Sequence, residues 1–250
     1  MTNFYDKVAK KFGGYAYGSN NPKYVSKYES QDPEKVFKDK LLALGGKSKV
    51  VLDIGCGDGK FTLGIADSFK KITGIDNSVE LLVIANTKQK EQNSVNTRFL
   101  LQNAKKTTFK DKSFDIIYNR RGPSFYTEYY RILKKGGNYL EIGIGERDTM
   151  ELKKIFGRGQ NFGQWNNPRL QKDKKEFKKL RFTVKMAKDY YYTEYYQSSQ
   201  EFDNFLEGVP IFEDYETDED RKYFEEYVIK FKTKEGIALK RHRVVYDLVK

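Results

Sequence analysis

One cysteine, one histidine and one tryptophan occur in 250 residues, and proline appears only 5 times. With Cys56 alone there is no internal disulfide framework, which fits a reducing compartment. Cys56 and His242 together fall short of the four ligands that a zinc site of the usual Cys/His type takes. Long apolar runs are missing too: nothing approaches the roughly 20 residues of a membrane-spanning helix. The segment MTNFYDKVAKKFGGY lacks the continuous apolar stretch of a secretory signal. These absences predict a cytoplasmic protein without a membrane partner.

What the chain has in quantity is aromatic residues and positive charge. Its 18 Phe and 19 Tyr can bury large areas although only 38% of residues are hydrophobic. With 47 Lys+Arg against 35 Asp+Glu, the formal charge is +12. Such an excess favours RNA, DNA or anionic small molecules through long-range attraction. It is unevenly placed, however. RLQKDKKEFKKLR (169–181) is strongly basic and FEDYETDEDRKYFEEY (212–227) strongly acidic, so solvated lysines explain the excess equally well.

Residues 49–145 alternate strand-like and helix-like segments, the pattern of a parallel sheet covered by helices. Strands are expected at 49–54, 71–76, 97–102, 113–119 and 138–144, and helices at 60–69, 79–92 and 125–137. The pair Gly136–Gly137 suits a left-handed helix C-cap. Before this core, 30–44 predicts a helix with Asp32 as N-cap and Pro33 at its first position. Phe4, Val8 and Phe12 form an amphipathic stripe. After the core, 157–168 is expected as a loop, 181–196 as strand or hairpin, two helices follow, and 236–249 closes as one strand or two. With no repeat and no low-complexity linker, residues 1–250 are expected to form one domain.

The most informative stretch is VVLDIGCGDGKFT (50–62). A strand ends in Asp53, and glycine then takes every second position: Gly55, Gly57 and Gly59. Glycine permits positive φ and close approach of the backbone to a ligand. A second strand ends in Asp76, 17 positions after Gly59, where an acid can accept two hydrogen bonds from a ribose diol. A nicotinamide-binding fingerprint would place its third glycine at Lys60, one position later.

The Gly-x-Gly-x-Gly spacing after an Asp resembles motif I of class I S-adenosylmethionine (SAM)-dependent methyltransferases, and YQSSQEFDNFLEGVPIF (196–212) resembles the helix after strand six in their ubiquinone/menaquinone-biosynthesis-type group. The first resemblance covers about residues 45–145 and includes GIDNS (74–78), QNAKKTTFKDKSFDIIYN (102–119) and YRILKKGGNYLEI (130–142). It implies an α/β, Rossmann-like, seven-stranded, mostly parallel sheet with helices on both faces and N- and C-terminal lid elements. The SAM-binding core would span about 30–150, and the lid or substrate elements about 1–29 and 157–235. The cofactor would be SAM, leaving as S-adenosylhomocysteine (SAH). The resemblance implies that Asp53 and the backbone around Gly55, Cys56, Gly57 and Gly59 hold the amino-acid end of SAM. Asp76 would take the ribose and Asn77 would lie beside the adenine. Asn103, where the family has Asp, and Ala104 would face the adenine edge, with Asn119 also at the cofactor. Cys56 is read as a small filler, not a nucleophile.

Methyl transfer from a sulfonium asks mainly for alignment and exclusion of water, so no catalytic side chain is assigned. Residues 119–126 follow the fourth strand and belong where the acceptor sits. Asn119 is not followed by the Pro-Pro that base-nitrogen methyltransferases carry there. Arg120 and Arg121 instead point to a small acceptor bearing an anion. In the competing reading each arginine pairs with Glu141, Asp115 or another core acid. Tyr15, with Tyr5 and Phe12, is a candidate lid residue, and the tyrosines of 190–196 are read as pocket or sheet. His242 is read as structural. Alternatives to a small-molecule methyltransferase are an rRNA or tRNA methyltransferase, favoured by charge, and a SAM-binding protein without transferase activity.

Overall fold

The computed structural model describes residues 4–15 and 24–250. The first elements are α1 (Phe4–Phe12), β1 (Tyr24–Tyr28), α2 (Pro33–Ala43) and β2 (Gly46–Ile54). The core continues through α3 (Lys60–Gly64), β3 (Phe69–Asp76), α4 (Val79–Glu91), β4 (Thr97–Leu101), β5 (Phe114–Arg120), α5 (Tyr126–Ile132) and β6 (Leu133–Ile144). Beyond it lie α6 (Met150–Phe156), α7 (Arg169–Lys179), β7 (Thr183–Tyr196), α8 (Ser199–Gly208), α9 (Arg221–Phe231), β8 (Lys232–Thr233) and β9 (Gly236–Val249).

The central strands are apolar on both sides because both sides are covered. Val51, Ile72, Ile116 and Leu140 pack with Phe37 and Leu41 of α2. Their neighbours Leu52, Ile75, Ile117 and Tyr139 face the opposite layer, against Tyr129 of α5 and Phe177 of α7. Helix α2 starts as expected: Asp32 accepts hydrogen bonds from the Glu34 and Lys35 N–H groups at 2.9 and 3.3 Å, and Pro33 opens the first turn.

The strand order is β1-β7-β9-β6-β5-β2-β3-β4, with β8 paired to β9. Pairs β2–β3, β3–β4, β2–β5 and β5–β6 are parallel, while β9 runs antiparallel to β6 and β7. From β2 the chain builds outward through β3 and β4, then returns to place β5 and β6 on the other side. The reversal makes the space beyond the carboxyl ends of β2 and β5 a topological switch point, the usual place for a ligand in such sheets.

The sheet has nine strands among the described residues, two more than the seven expected. The additions are β1, which lies in the segment expected as an N-terminal lid and pairs with β7, and the two-residue β8. Two helices are shorter than expected. Helix α3 ends at Gly64 and a 3₁₀ turn follows at Ala66–Ser68, because Phe61, Leu63 and Ile65 alternate and do not share a helical face. Helix α5 ends at Ile132, and Leu133 already pairs with Phe114 in the sheet. Gly136 is therefore no helix cap. It takes φ +74° at an irregularity inside β6, where its N–H reaches the Lys250 carbonyl at 2.7 Å.

A separate aromatic cluster joins α6, α8 and α9 to the ends of β7 and β9, with Phe156 stacked on Phe212 at 4.5 Å between centroids. The loop 157–168 is docked on it: the Gln160 N–H donates to the Ile211 carbonyl at 2.8 Å, and Arg158 Nη2 reaches Asp220 at 2.8 Å. No helix among the described residues is long and apolar enough to cross a membrane.

Candidate active site

The turn after β2 is built by its glycines and held by the next strand. Gly55, Gly57 and Gly59 all take left-handed φ values of 54–72°. Gly55 and Cys56 donate their N–H groups to the Ile75 carbonyl at 2.9 and 3.0 Å. Asp76, at the end of β3, accepts the Gly57 N–H at 2.8 Å and the Ser78 N–H at 3.0 Å. Asp76 thus shapes the turn while its side chain faces the cleft.

Gly59 admits no side chain, since a Cβ there would lie 2.6 Å from the Phe99 ring and 3.0 Å from Ala85. Overpacking costs about 1–3 kcal/mol, and a left-handed non-glycine residue adds roughly 1–2 kcal/mol. Gly59→Ala is expected to lower the urea midpoint by the equivalent of about 2–5 kcal/mol. A midpoint unchanged within error would contradict this geometry.

A cleft of about 830 Å³ opens beside this turn, at the switch point. Of the residues expected at the cofactor, Asp53, Gly55, Cys56, Gly57, Asp76, Asn77, Asn103 and Ala104 line it, as do Tyr15, Arg120 and Arg121. Gly59 and Asn119 lie outside its wall. Asn119 is fully buried: its Oδ1 accepts the Gly122 N–H at 2.7 Å and its Nδ2 donates to the Pro123 carbonyl at 2.8 Å. It folds the 119–123 turn instead of facing the cleft. Asn103 Oδ1 accepts the Lys105 N–H at 2.9 Å, which leaves one lone pair.

Helix α1 closes one rim. Tyr5 joins Tyr15 in the wall, and Asp6 Oδ1 accepts from Ser78 Oγ at 2.5 Å, docking α1 on the first turn of α4. Phe12 does not line the cleft. The tyrosines of β7 serve the sheet: Tyr190, Tyr192 and Tyr196 are buried within it and none reaches this wall. His242 is fully buried in β9, stacked on Tyr191 at 4.3 Å with Nε2 2.9 Å from Asp189.

Two acids dominate the electrostatics. Burial pushes the Asp53 carboxyl up to about 6, against the hydrogen bond from Thr62 and the Arg120 charge, which pull it down. Burial likewise raises Asp76, opposed by the N–H groups of Ser78, Gly57 and Asn77. Burial lifts the Cys56 thiol well above its usual range, so it is no thiolate nucleophile at neutral pH.

The arginine pair does not present two uncompensated charges. Arg120 Nη2 and Arg121 Nη1 both reach Glu34, at 3.1 and 2.7 Å. Burial alone would raise Glu34, but the two guanidinium groups win and its carboxyl drops to about 2. The partner is thus neither Glu141 nor Asp115, and the trio keeps one positive charge. Arg120 also lies over the Phe61 ring, 4.0 Å from its centroid. Glu34 gave no signal in the sequence beyond that of an acid in a helix first turn. Lys38 and Gln160, which also line the cleft, were missed for the same reason: nothing local marks them.

Residues 51–137 match the family model described as a methyltransferase domain. Residues 51–137 are a methyltransferase domain by this match. The demethylmenaquinone methyltransferase of Lactococcus lactis is 37% identical to it over 116 residues, 42% of this chain and 46% of that one. The chain thus spans about half the length of the curated relatives it matches. The YcgJ protein of Bacillus subtilis superimposes on this methyltransferase fold with a TM-score of 0.62 at 16% identity, covering 86% of this chain and 98% of that one. The [4+2]-cyclase SpnF shares the fold as well, with a TM-score of 0.58 and 16% identity over 98% and 93% of the two chains. Fold alone therefore does not set the reaction.

Proposed function

We propose that the protein binds SAM in the 830 Å³ cleft and transfers its methyl group to a small-molecule acceptor. The observation that carries this reading is the convergence of Asp53, the Gly55–Gly59 turn and Asp76 on one cleft at the switch point, inside the matched methyltransferase region. The residues fit the group. Asp76 offers carboxylate acceptors for a ribose diol, Asp53 a buried carboxylate for an ammonium, and Asn103 with Ala104 a polar edge for adenine. Tyr5 and Tyr15 cover the opening. Arg120, stacked on Phe61 and close enough to draw down Asp53, suits the cofactor's carboxylate. Helix α1, which brings Tyr5 to the cleft, and the 157–168 loop, which brings Gln160, are assigned as its cover and substrate elements, while β1 and β7 belong to the sheet.

When bound, SAM supplies a methyl group already activated on a sulfonium. The chain's part is then to orient the acceptor and exclude water, for which no general base is assigned. An anionic acceptor is supported by Arg121, held in place by Glu34 at the cleft, although the trio offers one net charge and not two. The curated relatives named for demethylmenaquinone support a small-molecule acceptor over RNA.

Binding of SAH has a characteristic pH dependence. An ammonium beside Asp53 favours the ionised carboxyl, so binding expels its proton below pH 6. SAH affinity is expected to fall about tenfold between pH 7.5 and 5, with proton release on binding near pH 5.5. Without ligand the sign is opposite to that of a paired carboxylate: this raised group stabilises the fold most below its unfolded value of 3.8, and the contribution is lost as pH rises through 6. Calorimetry in two buffers of different ionisation enthalpy reads the proton directly. Affinity flat across this range would exclude Asp53 as the ammonium partner.

A further inference from the structure

A second cavity, about 730 Å³, adjoins the first and shares Arg121, Gly122, Phe125 and Gln160 with it. The two are compartments of one cleft along the ends of β5 and β6. From its contents we infer that the second compartment holds the acceptor and that this acceptor is a polar, water-soluble metabolite without a lipid chain. The inference rests on the SAM assignment of the first compartment.

Ser124 and Tyr126 line the second compartment beside Arg169 and Asp173; the Tyr126 hydroxyl donates to Asp173 at 2.8 Å and Arg169 pairs with Asp173 at 3.0 Å. Four carboxamide residues, Gln160, Asn161, Gln164 and Asn167, also line it. Four cations, Lys105, Arg121, Arg169 and Lys172, and four acids, Glu128, Glu146, Asp173 and Glu176, make up the charged part of the lining. Apart from the Tyr126 ring, apolar side chains enter only as Phe125 and Ile144. This wall is built into the fold, because the loop carrying the carboxamides is docked through Gln160, Arg158 and Gly159, whose Cβ would lie 2.7 Å from Phe212.

A prenyl chain would strip water from these amide and charged groups, with Phe125, Tyr126 and Ile144 as the apolar faces offered to it in return. A hydroxyl-, amide- or carboxylate-bearing acceptor replaces that water with hydrogen bonds. The acceptor class therefore differs from the quinone named for the Lactococcus lactis relative.

The test incubates the full chain and methyl-labelled SAM with three probes: an aqueous metabolite extract, a chloroform lipid extract, and demethylmenaquinone alone. Label is expected in the aqueous small-molecule fraction and not in the other two. The Gln164→Leu/Asn167→Leu variant should lower that transfer about tenfold while its SAH affinity and melting temperature stay at the parent values. Label in the lipid extract or in demethylmenaquinone overturns the inference. So does label in RNA or protein, no label in any fraction despite SAH binding, or a variant that transfers as well as the parent. Absence of SAH binding is a different result, since it overturns the SAM assignment itself.

Discussion

Asp76→Ala is expected to weaken SAH binding by about 100-fold or more, measured by calorimetry at pH 7.5. Two charge-assisted hydrogen bonds from a ribose diol, each worth about 1.5–3 kcal/mol, vanish with the carboxylate, and about 2.7 kcal/mol corresponds to 100-fold. The substitution also removes the acceptor that holds the Gly57 and Ser78 N–H groups, so the turn after β2 loses its anchor at the same time. Asp76→Asn keeps one acceptor oxygen and should fall between the parent and the alanine variant. Melting temperature separates the two effects: a loosened turn shifts it by a few degrees, whereas the binding loss is far larger. If Asp76→Ala binds SAH within threefold of the parent, the ribose assignment is wrong.

The second large effect lies beside the acceptor compartment. Arg169 from the first turn of α7 enters the space left by Gly143 in β6, where a Cβ would lie 2.2 Å from its Nη1. There it pairs with Glu141, which is fully buried, and with Asp173 at 3.0 Å, and it donates to the Ile144 carbonyl at 2.9 Å. Ser124 and Tyr139 hydroxyls complete the Glu141 carboxylate at 3.0 and 2.7 Å. Arg169→Met leaves Glu141 charged and uncompensated in the interior, a change that costs about 3–5 kcal/mol. For a chain of this size that is a fall in melting temperature of about 10 °C. Adding Glu141→Gln, which keeps partners for Ser124 and Tyr139 but removes the charge, should recover at least half of the loss. A single variant as stable as the parent, or a double variant less stable than the single, would show that the pair does not carry this load.

The parallel core and its cleft were legible because their signals are local. Strands buried on both faces read as short apolar runs, and a turn that needs three left-handed residues must spell them as glycine. Asp76 stood out because a strand end and a glycine turn fix its place. The rest depended on contacts remote in sequence. Glu34 meets Arg120 and Arg121 across 86 and 87 positions, and no periodicity in either segment announces the meeting. Gly143 looked like any strand glycine, since its reason is Arg169. The end of α5 was misread because Tyr-Arg-Ile-Leu-Lys-Lys is good helix sequence, and only the pairing of Leu133 with Phe114 draws the chain into the sheet early. Asn119 was placed at the cofactor, near the carboxyl end of β5, yet its amide is spent on the turn that follows. The basic segment became α7, with Asp173 and Phe177 buried and its lysines outside. Charge by composition said nothing of that division.

The most direct test of the account is a structure of the full chain crystallised with SAH. The account predicts the ribose hydroxyls on the Asp76 carboxylate, the adenine beside Asn103 and Ala104, and the amino group at Asp53. The sulfur should open toward Arg121 and the second compartment. SAH bound elsewhere, or a cleft without SAH at saturating concentration, would contradict it.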